Sequence, residues 1–328
     1  MATPHSGTAQ SAIDPEALER YRRELNGLCY RMLGSAFEAE DAVQETMLRA
    51  MRAAQTFEGR SSLRSWLYRI ATNVCTDMLR GRARRASPIG LGPSSAPEPT
   101  ALGPRLPEGM WVSPACDTRV LSDYADPAEL AAARESIRLA FVTALQHLPA
   151  RQRAALVLCK VLGFEAAEVA VILGTTVAAV NSAVQRAGAA LAALPPQDRV
   201  AEVHSDHADL LARYIEAFER YDIPALVKLL HDDAVQTMPP YAMWLRGAAD
   251  IGGWMLGAGI GCRGSRLLAA RANGCPAFGQ YRIDVQGGYA PFALHVLEIC
   301  GGRVASVHVF LDTERIFPHF ALPARIPA

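Results

Sequence analysis

Lysine is almost missing from this chain of 328 residues: Lys160 and Lys228 stand alone against a background of arginine. Long apolar runs are missing too. None reaches the roughly 18 residues of a membrane-spanning helix, which excludes a membrane partner by that route. The opening MATPHSGTAQSAIDPEALERYRRE lacks the basic-then-apolar order of a secretory leader. No CxxC pair occurs among the seven cysteines. Their odd number and scatter argue against a disulfide frame, a zinc site or another metal-borne cofactor. They suit mostly buried thiols in a reduced cytoplasm. There is no internal repeat, which sets aside solenoids and propellers.

What is present is a folded composition, 50% apolar and 20% charged, with length for two or three domains. The net charge is zero, but it is segregated. Between Arg49 and Ala86 nine arginines face Glu58 and Asp77, a local surplus of seven positive charges. A basic block in a neutral chain suits a polyanion. Residues 87–133 carry the opposite sign, two arginines against six acids.

Three segments follow from pattern. Residues 14–86 are helical by period. Residues 87–127, rich in Pro, Gly and Ser, read as an irregular linker with one apolar knot, Met110-Trp111-Val112, expected to dock on something. Helical pattern returns over 128–194 and breaks at Pro195-Pro196. Residues 205–328 open with the amphipathic HADLLARYIEAFERYD and close with strands and Gly-Gly turns, including RIDVQGG, HVLEICGG and RVASVHVFLDT. Helices first and strands after indicate an α+β unit.

In the first segment Val43, Met47, Ala50, Met51 and Ala54 fall on one helical face, with Asp41, Gln44, Glu45, Arg49 and Arg52 opposite. Ser61 and Ser62 can cap the next helix. Its apolar stripe is Leu63, Trp66, Leu67, Ile70, Val74 and Met78, and Arg64, Tyr68, Arg69, Asn73, Asp77 and Arg80 form its polar side. On that stripe Trp66 reads as core rather than as a stacking platform. EDAVQETMLRAMRA followed by LRSWLYRIATNVCTDMLRGRARR resembles the second conserved region of extracytoplasmic-function sigma factors of bacterial RNA polymerase. The resemblance implies that Asp41, Gln44, Glu45 and Arg49 face core polymerase, at the clamp helices of its β′ subunit. It implies that Arg64, Arg69, Asn73, Asp77, Arg80 and Arg84 lie along the −10 element of promoter DNA, where a base flips out of the melted duplex.

The segment from Ala133 to Leu194, with LPARQR before a helix-turn-helix, looks like the fourth sigma region, which in the family meets the β flap of polymerase and the −35 element. Gly174 marks the turn and Thr175/Thr176 the cap, with Val180, Val184 and Leu191 turned inward. Candidate −35 readers are Thr176, Ala179, Asn181, Ser182, Gln185 and Arg186; Asn and Gln side chains can pair bidentately with adenine. The stretch departs from the usual family pattern: Asn181, Ala183 and Gly188 stand where basic residues are common. Three fewer phosphate contacts weaken autonomous binding and flatten its salt dependence. A reader carried by polymerase tolerates this, because tethering supplies a high effective concentration.

The last segment resembles the SnoaL-like, NTF2-like fold, a cone of helices on a curved antiparallel sheet around a pocket. Expected lining residues are Tyr241, Trp244, Trp254, His295, His308 and Phe310, arranged for a small-molecule ligand. Relatives of that fold include cyclases and isomerases, which would make His308 or Asp312 an acid or base. Histidines in half-buried strands are usually structural, and a strand end favours Asp for turns. The preferred reading is therefore a regulatory domain in contact with the sigma domains, not an enzyme. The alternative is a ligand-binding or cyclase-like domain on a DNA-binding regulator that acts without polymerase.

Overall fold

The computed structural model describes residues 15–54, 57, 61–122, 126–194 and 207–328. The expected break at Pro195-Pro196 lies outside them. Four helices open the chain: α1 (Pro15–Glu19), α2 (Arg22–Leu33), α3 (Ala36–Ala53) and α4 (Leu63–Leu79). Gly34, left-handed at φ 68°, ends α2, and Ser35 caps α3 by accepting the Glu38 N–H. Ser62 caps α4 through the Ser65 N–H at 3.1 Å. The inward stripes meet as Leu25, Leu28, Val43, Met47, Trp66, Leu67 and Val74.

Two residues depart from the periodic reading. Met51, expected inside, is 48% exposed. Ala50 takes the inward position, and the next residue lies about 100° round the helix. Tyr68, expected on the polar side, is fully buried. Its ring packs on Phe164 and its hydroxyl donates to Glu24 at 3.1 Å, so the polar tip is satisfied without leaving the core.

The segment after α4 is irregular but anchored. It runs through 3-10 turns at Pro88–Leu91, Pro99–Leu102 and Glu108–Met110, then the short α5 (Asp117–Val120). Trp111 and Val112 of the apolar knot are buried. Backbone N–H groups of Ser95, Leu106 and Ser113 donate to Trp244, Pro240 and Gly34 respectively. The second helical group is α6 (Pro127–Glu135), α7 (Leu139–Leu145), α8 (Ala150–Leu156), α9 (Ala166–Leu173) and α10 (Val177–Ala192). Gly174 turns the chain at φ 59°, and Thr176 caps α10 through the Ala179 N–H.

The third unit holds α11 (Ala208–Glu219), α12 (Ile223–Leu229), α13 (Ala248–Leu256) and α14 (Thr313–His319) around six strands. These are β1 (Leu230–Thr237), β2 (Trp244–Arg246), β3 (Arg266–Ala272), β4 (Cys275–Ile283), β5 (Tyr289–Cys300) and β6 (Arg303–Phe310), in the order β2-β1-β6-β5-β4-β3. This is an NTF2-like cone, but its sheet is mixed rather than wholly antiparallel. The meander β3 to β6 folds back so that β6 runs parallel to β1. Both faces of the sheet are covered. Phe278, Leu297, Val307 and Val309 share a core with α11, α12 and α13. Ala277, Tyr281, Leu294, Val296 and Phe310 on the other face join the core of the helical groups. One apolar core thus runs from α2 to the back of the sheet.

Candidate functional site

On α3 Asp41, Gln44 and Arg49 are exposed and Glu45 is half-buried. Arg49 donates to Glu45 at 2.7 Å and reaches Asp77 of α4 at 3.7 Å. This pair joins the residues expected to face polymerase to those expected to face the −10 element. On α4 and just after it, Arg69, Asn73, Asp77, Arg80 and Arg84 are exposed. Arg64 is different. It donates to Glu24 at 2.9 Å and lies 4.4 Å over the ring of Phe164, two residues before α9. In this arrangement Arg64 is held within the fold, and so is Arg85 of the basic block. Arg85 is buried, donating to the Trp111 carbonyl at 2.7 Å and pairing with Glu38 at 2.8 Å.

Along α10 the side chains of Thr176, Ala179, Asn181, Gln185 and Arg186 are exposed and Ser182 is half-buried, while Val180 and Ala187 face inward. Arg186 donates to Ser182 one turn earlier.

The third unit encloses a cavity of about 300 Å³ on the helix-covered face of the sheet. Tyr241, Trp254 and His295 line it, as expected. Trp244, His308 and Phe310 do not. Strand alternation fixes this: on β6 Val307 and Val309 point into the cavity, so His308 and Phe310 point out of the back of the sheet. Trp244 turns its indole N–H to the Gly92 carbonyl of the linker at 3.0 Å.

His308 is fully engaged on that outer face. Its Nδ1 meets Thr237 Oγ1 at 2.9 Å and its Nε2 lies 3.7 Å from Glu298. Burial works against the Glu298 charge, but His308, Ser306 and Arg138 outweigh it and hold the carboxyl below its ordinary value. Asp312 is half-buried beside the linker at the start of α14, outside the internal cavity.

Sequence reasoning passed over two groups. In the cavity, Gln280 and Arg282 follow Phe278 at alternate positions of β4. At the junction of all three units, the β3–β4 hairpin tip carries Asn273, left-handed at φ 56° and fully buried. Its amide donates to Tyr30 Oη and the Ile137 carbonyl, both at 2.6 Å, and accepts the Ala115 N–H at 2.9 Å. The next residue, Gly274, gives its N–H to Asp117 at 2.8 Å, and a Cβ there would strike the Arg134 carbonyl. The Asn-Gly pair is a hairpin signal in any sequence; nothing local marks it as a keystone. At the other edge, α14 reaches the start of α3: His319 lies 3.2 Å from Glu40, and Arg315 lies over Phe37 and pairs with Glu108.

Among the described residues no single helix is long and apolar enough to cross a membrane, and no group of His, Cys, Asp or Glu is placed to hold a metal ion.

Residues 17–85 match sigma-70 region 2 and residues 138–191 match sigma-70 region 4. The chain is 48% identical over 310 residues to the ECF RNA polymerase sigma factor SigG of Mycobacterium tuberculosis, covering 93% of this chain and 82% of that protein. It is 29% identical over 303 residues to SigJ of the same organism, covering 88% of this chain and 87% of that one. The crystal structure of SigJ has the same fold, with a TM-score of 0.57 at 24% identity over 94% of this chain and 98% of that one. With both sigma regions in order and a relative of this identity spanning nearly the whole chain, the protein belongs to the extracytoplasmic-function sigma factors of RNA polymerase.

Proposed function

We propose that this sigma factor rests in a closed form, held by its third domain, and must open to engage a promoter. The domains in this reading are residues 14–86 for core polymerase and the −10 element, 87–127 as the linker, 128–194 for the −35 element and 205–328 as the regulator. Asp41, Gln44, Glu45 and Arg49 dock on polymerase. Arg64, Arg69, Asn73, Arg80 and Arg84 follow the −10 strand, with Asp77 orienting Arg49 and Arg80. Thr176, Ala179, Asn181, Ser182, Gln185 and Arg186 meet the −35 element.

The observation that carries the closed form is the contact between α4 and the start of α9. The Tyr68 and Phe164 rings pack with centroids 4.8 Å apart, and Phe164 covers Arg64. The two promoter elements are about 25 base pairs apart, or about 85 Å of B-DNA at ~3.4 Å per pair. Two domains in contact cannot occupy both. The Asn273 hairpin tip, bonded to Tyr30, Ala115 and Ile137 together, supports the same reading. So does α14 against Phe37 and Glu40, at the edge of the polymerase-facing helix.

The third domain acts as a regulator and not as an enzyme, and the whole works in the cytoplasm where polymerase is. The two candidate catalytic groups, His308 and Asp312, lie outside the internal cavity. A fluorophore pair on the exposed Arg20 and Ala190, outside the residues assigned to polymerase and DNA, tests the closed form. High transfer in the free protein that collapses on binding core polymerase and promoter supports it. Low transfer in the free protein would rule it out.

A further inference from the structure

The internal cavity is a finished container with unfinished polar chemistry. Its walls are largely apolar and aromatic, from Tyr214, Phe218, Met238 and Trp254. Two polar groups in it are left incomplete. Gln280 Nε2 donates to Ser265 Oγ at 2.9 Å, which turns the Gln280 carbonyl oxygen toward His295. His295 Nε2 therefore carries the proton and donates to Gln280 Oε1 at 2.9 Å. That leaves His295 Nδ1 a bare acceptor, buried and without a partner. Burial keeps the imidazole neutral at physiological pH, with its proton affinity pulled down to about 4.

Arg282 is the second group. Its guanidinium stacks 3.3 Å over Phe292 and gives one N–H to Cys262 Sγ at 3.0 Å, while its buried Nε has no partner. No carboxylate pairs with it among the described residues. Phe292 owes its position to the β-bulge on β5, where the register slips between Gln280 and Tyr281. His295 lies opposite Phe278, four residues before Arg282 on β4. The backbone positions that carry the two incomplete groups are thus about 13 Å apart along the strand, at ~3.3 Å per residue. An acceptor at one end, a cationic donor at the other and aromatic walls between them define one shape of occupant.

We propose that this cavity binds a flat, bicyclic, largely apolar acid, with a hydroxyl at one end donating to His295 Nδ1 and a carboxylate at the other accepting from Arg282 Nε. The cavity volume is at the small end of ligand sites, which span about 300–1,000 Å³. Leu102, in the linker turn Pro99–Leu102, completes the wall. An occupant packs against the linker in its docked position, so the ligand and the closed form stabilise each other reciprocally. The ligand is an inhibitor of opening. This deepens the closed-form reading, but the site itself stands apart from it.

The test is calorimetric titration of the full chain, without polymerase, with 6-hydroxy-2-naphthoate, 2-naphthoate and 2-naphthol. The first is expected to bind one to one. Loss of either polar group should weaken binding on the order of tenfold, as for one charged or buried hydrogen bond. His295→Phe should erase the preference for the hydroxyl while 2-naphthoate still binds, and Arg282→Met should erase the preference for the carboxylate. Equal binding of all three probes, binding of none by the folded protein, or a hydroxyl preference that survives His295→Phe would overturn the site. Because Leu102 supplies only one wall, an open resting form would weaken all three probes together and leave the preferences for hydroxyl and carboxylate readable. In reconstituted transcription 6-hydroxy-2-naphthoate should lower output several-fold with wild type and not with His295→Phe. Binding without that loss would overturn the coupling through Leu102.

Discussion

Two histidines on neighbouring strands face opposite ways and show what each side of the sheet is for. His308 points to the helical domains and has both ring nitrogens engaged, by Thr237 and Glu298. His295 points into the cavity and has one nitrogen engaged and one bare. Buried polar groups are nearly always satisfied in folded proteins, and an exception asks for a partner from elsewhere. On the outer face the chain itself supplies the partners of His308, as expected of a face that holds domains together. The inner face is left incomplete, as expected of one that awaits a molecule.

The contrast can be broken first at the junction behind the outer face. Asn273→Gly keeps the left-handed backbone and removes three hydrogen bonds. At ~1–1.5 kcal/mol each, full-chain stability should fall by about 4 kcal/mol in denaturant unfolding. A change below about 1 kcal/mol would mean that the hairpin tip merely rests there.

Acid sharpens the contrast on the inner face. The folded His295 takes up its proton only near pH 4, against 6.5 unfolded. The unfolded chain therefore binds more protons between these values. Its cost is absent above pH 6.5 and grows as the pH falls toward 4, reaching about 3 kcal/mol at ~1.4 kcal/mol per pH unit. His295→Phe should remove this limb from a stability-against-pH curve.

Glu298 acts in a lower window. Its folded value is depressed, so its contribution is complete above the ordinary value of 4.5 and is lost as the pH falls through the folded one. Glu298→Gln should cost about 1–2 kcal/mol at neutral pH and flatten the curve below 4.5. The smallest effect is expected at pH 8. There His295→Phe removes a buried group lacking one partner, and stability should stay within about 1 kcal/mol of wild type or rise.

Much of this architecture was legible before any coordinates. The caps at Ser62 and Thr176, the turn at Gly174 and the docking of Trp111 follow from local chemistry, and the order of the two sigma motifs carried the family. The faces of β6 were not legible. Alternation pairs His308 with Phe310, but it cannot say which side is the cavity when both sides of a sheet are buried, as here. Tyr68 misled because its hydroxyl scores as polar while its ring belongs to the core. Asn273, Leu102 and Phe164 were invisible for a different reason. Each acts across a domain boundary, on residues far away in sequence, and no period or motif records such a contact.

The central claim is that the third domain holds the sigma domains closed, and Asn273 is where that hold is tightest. The direct measurement is promoter-dependent transcription with core polymerase, comparing wild type with Asn273→Gly at equal occupancy of core. If the closed form is the resting one, loosening the junction should raise output several-fold. Unchanged or reduced output, with core binding intact, would contradict it.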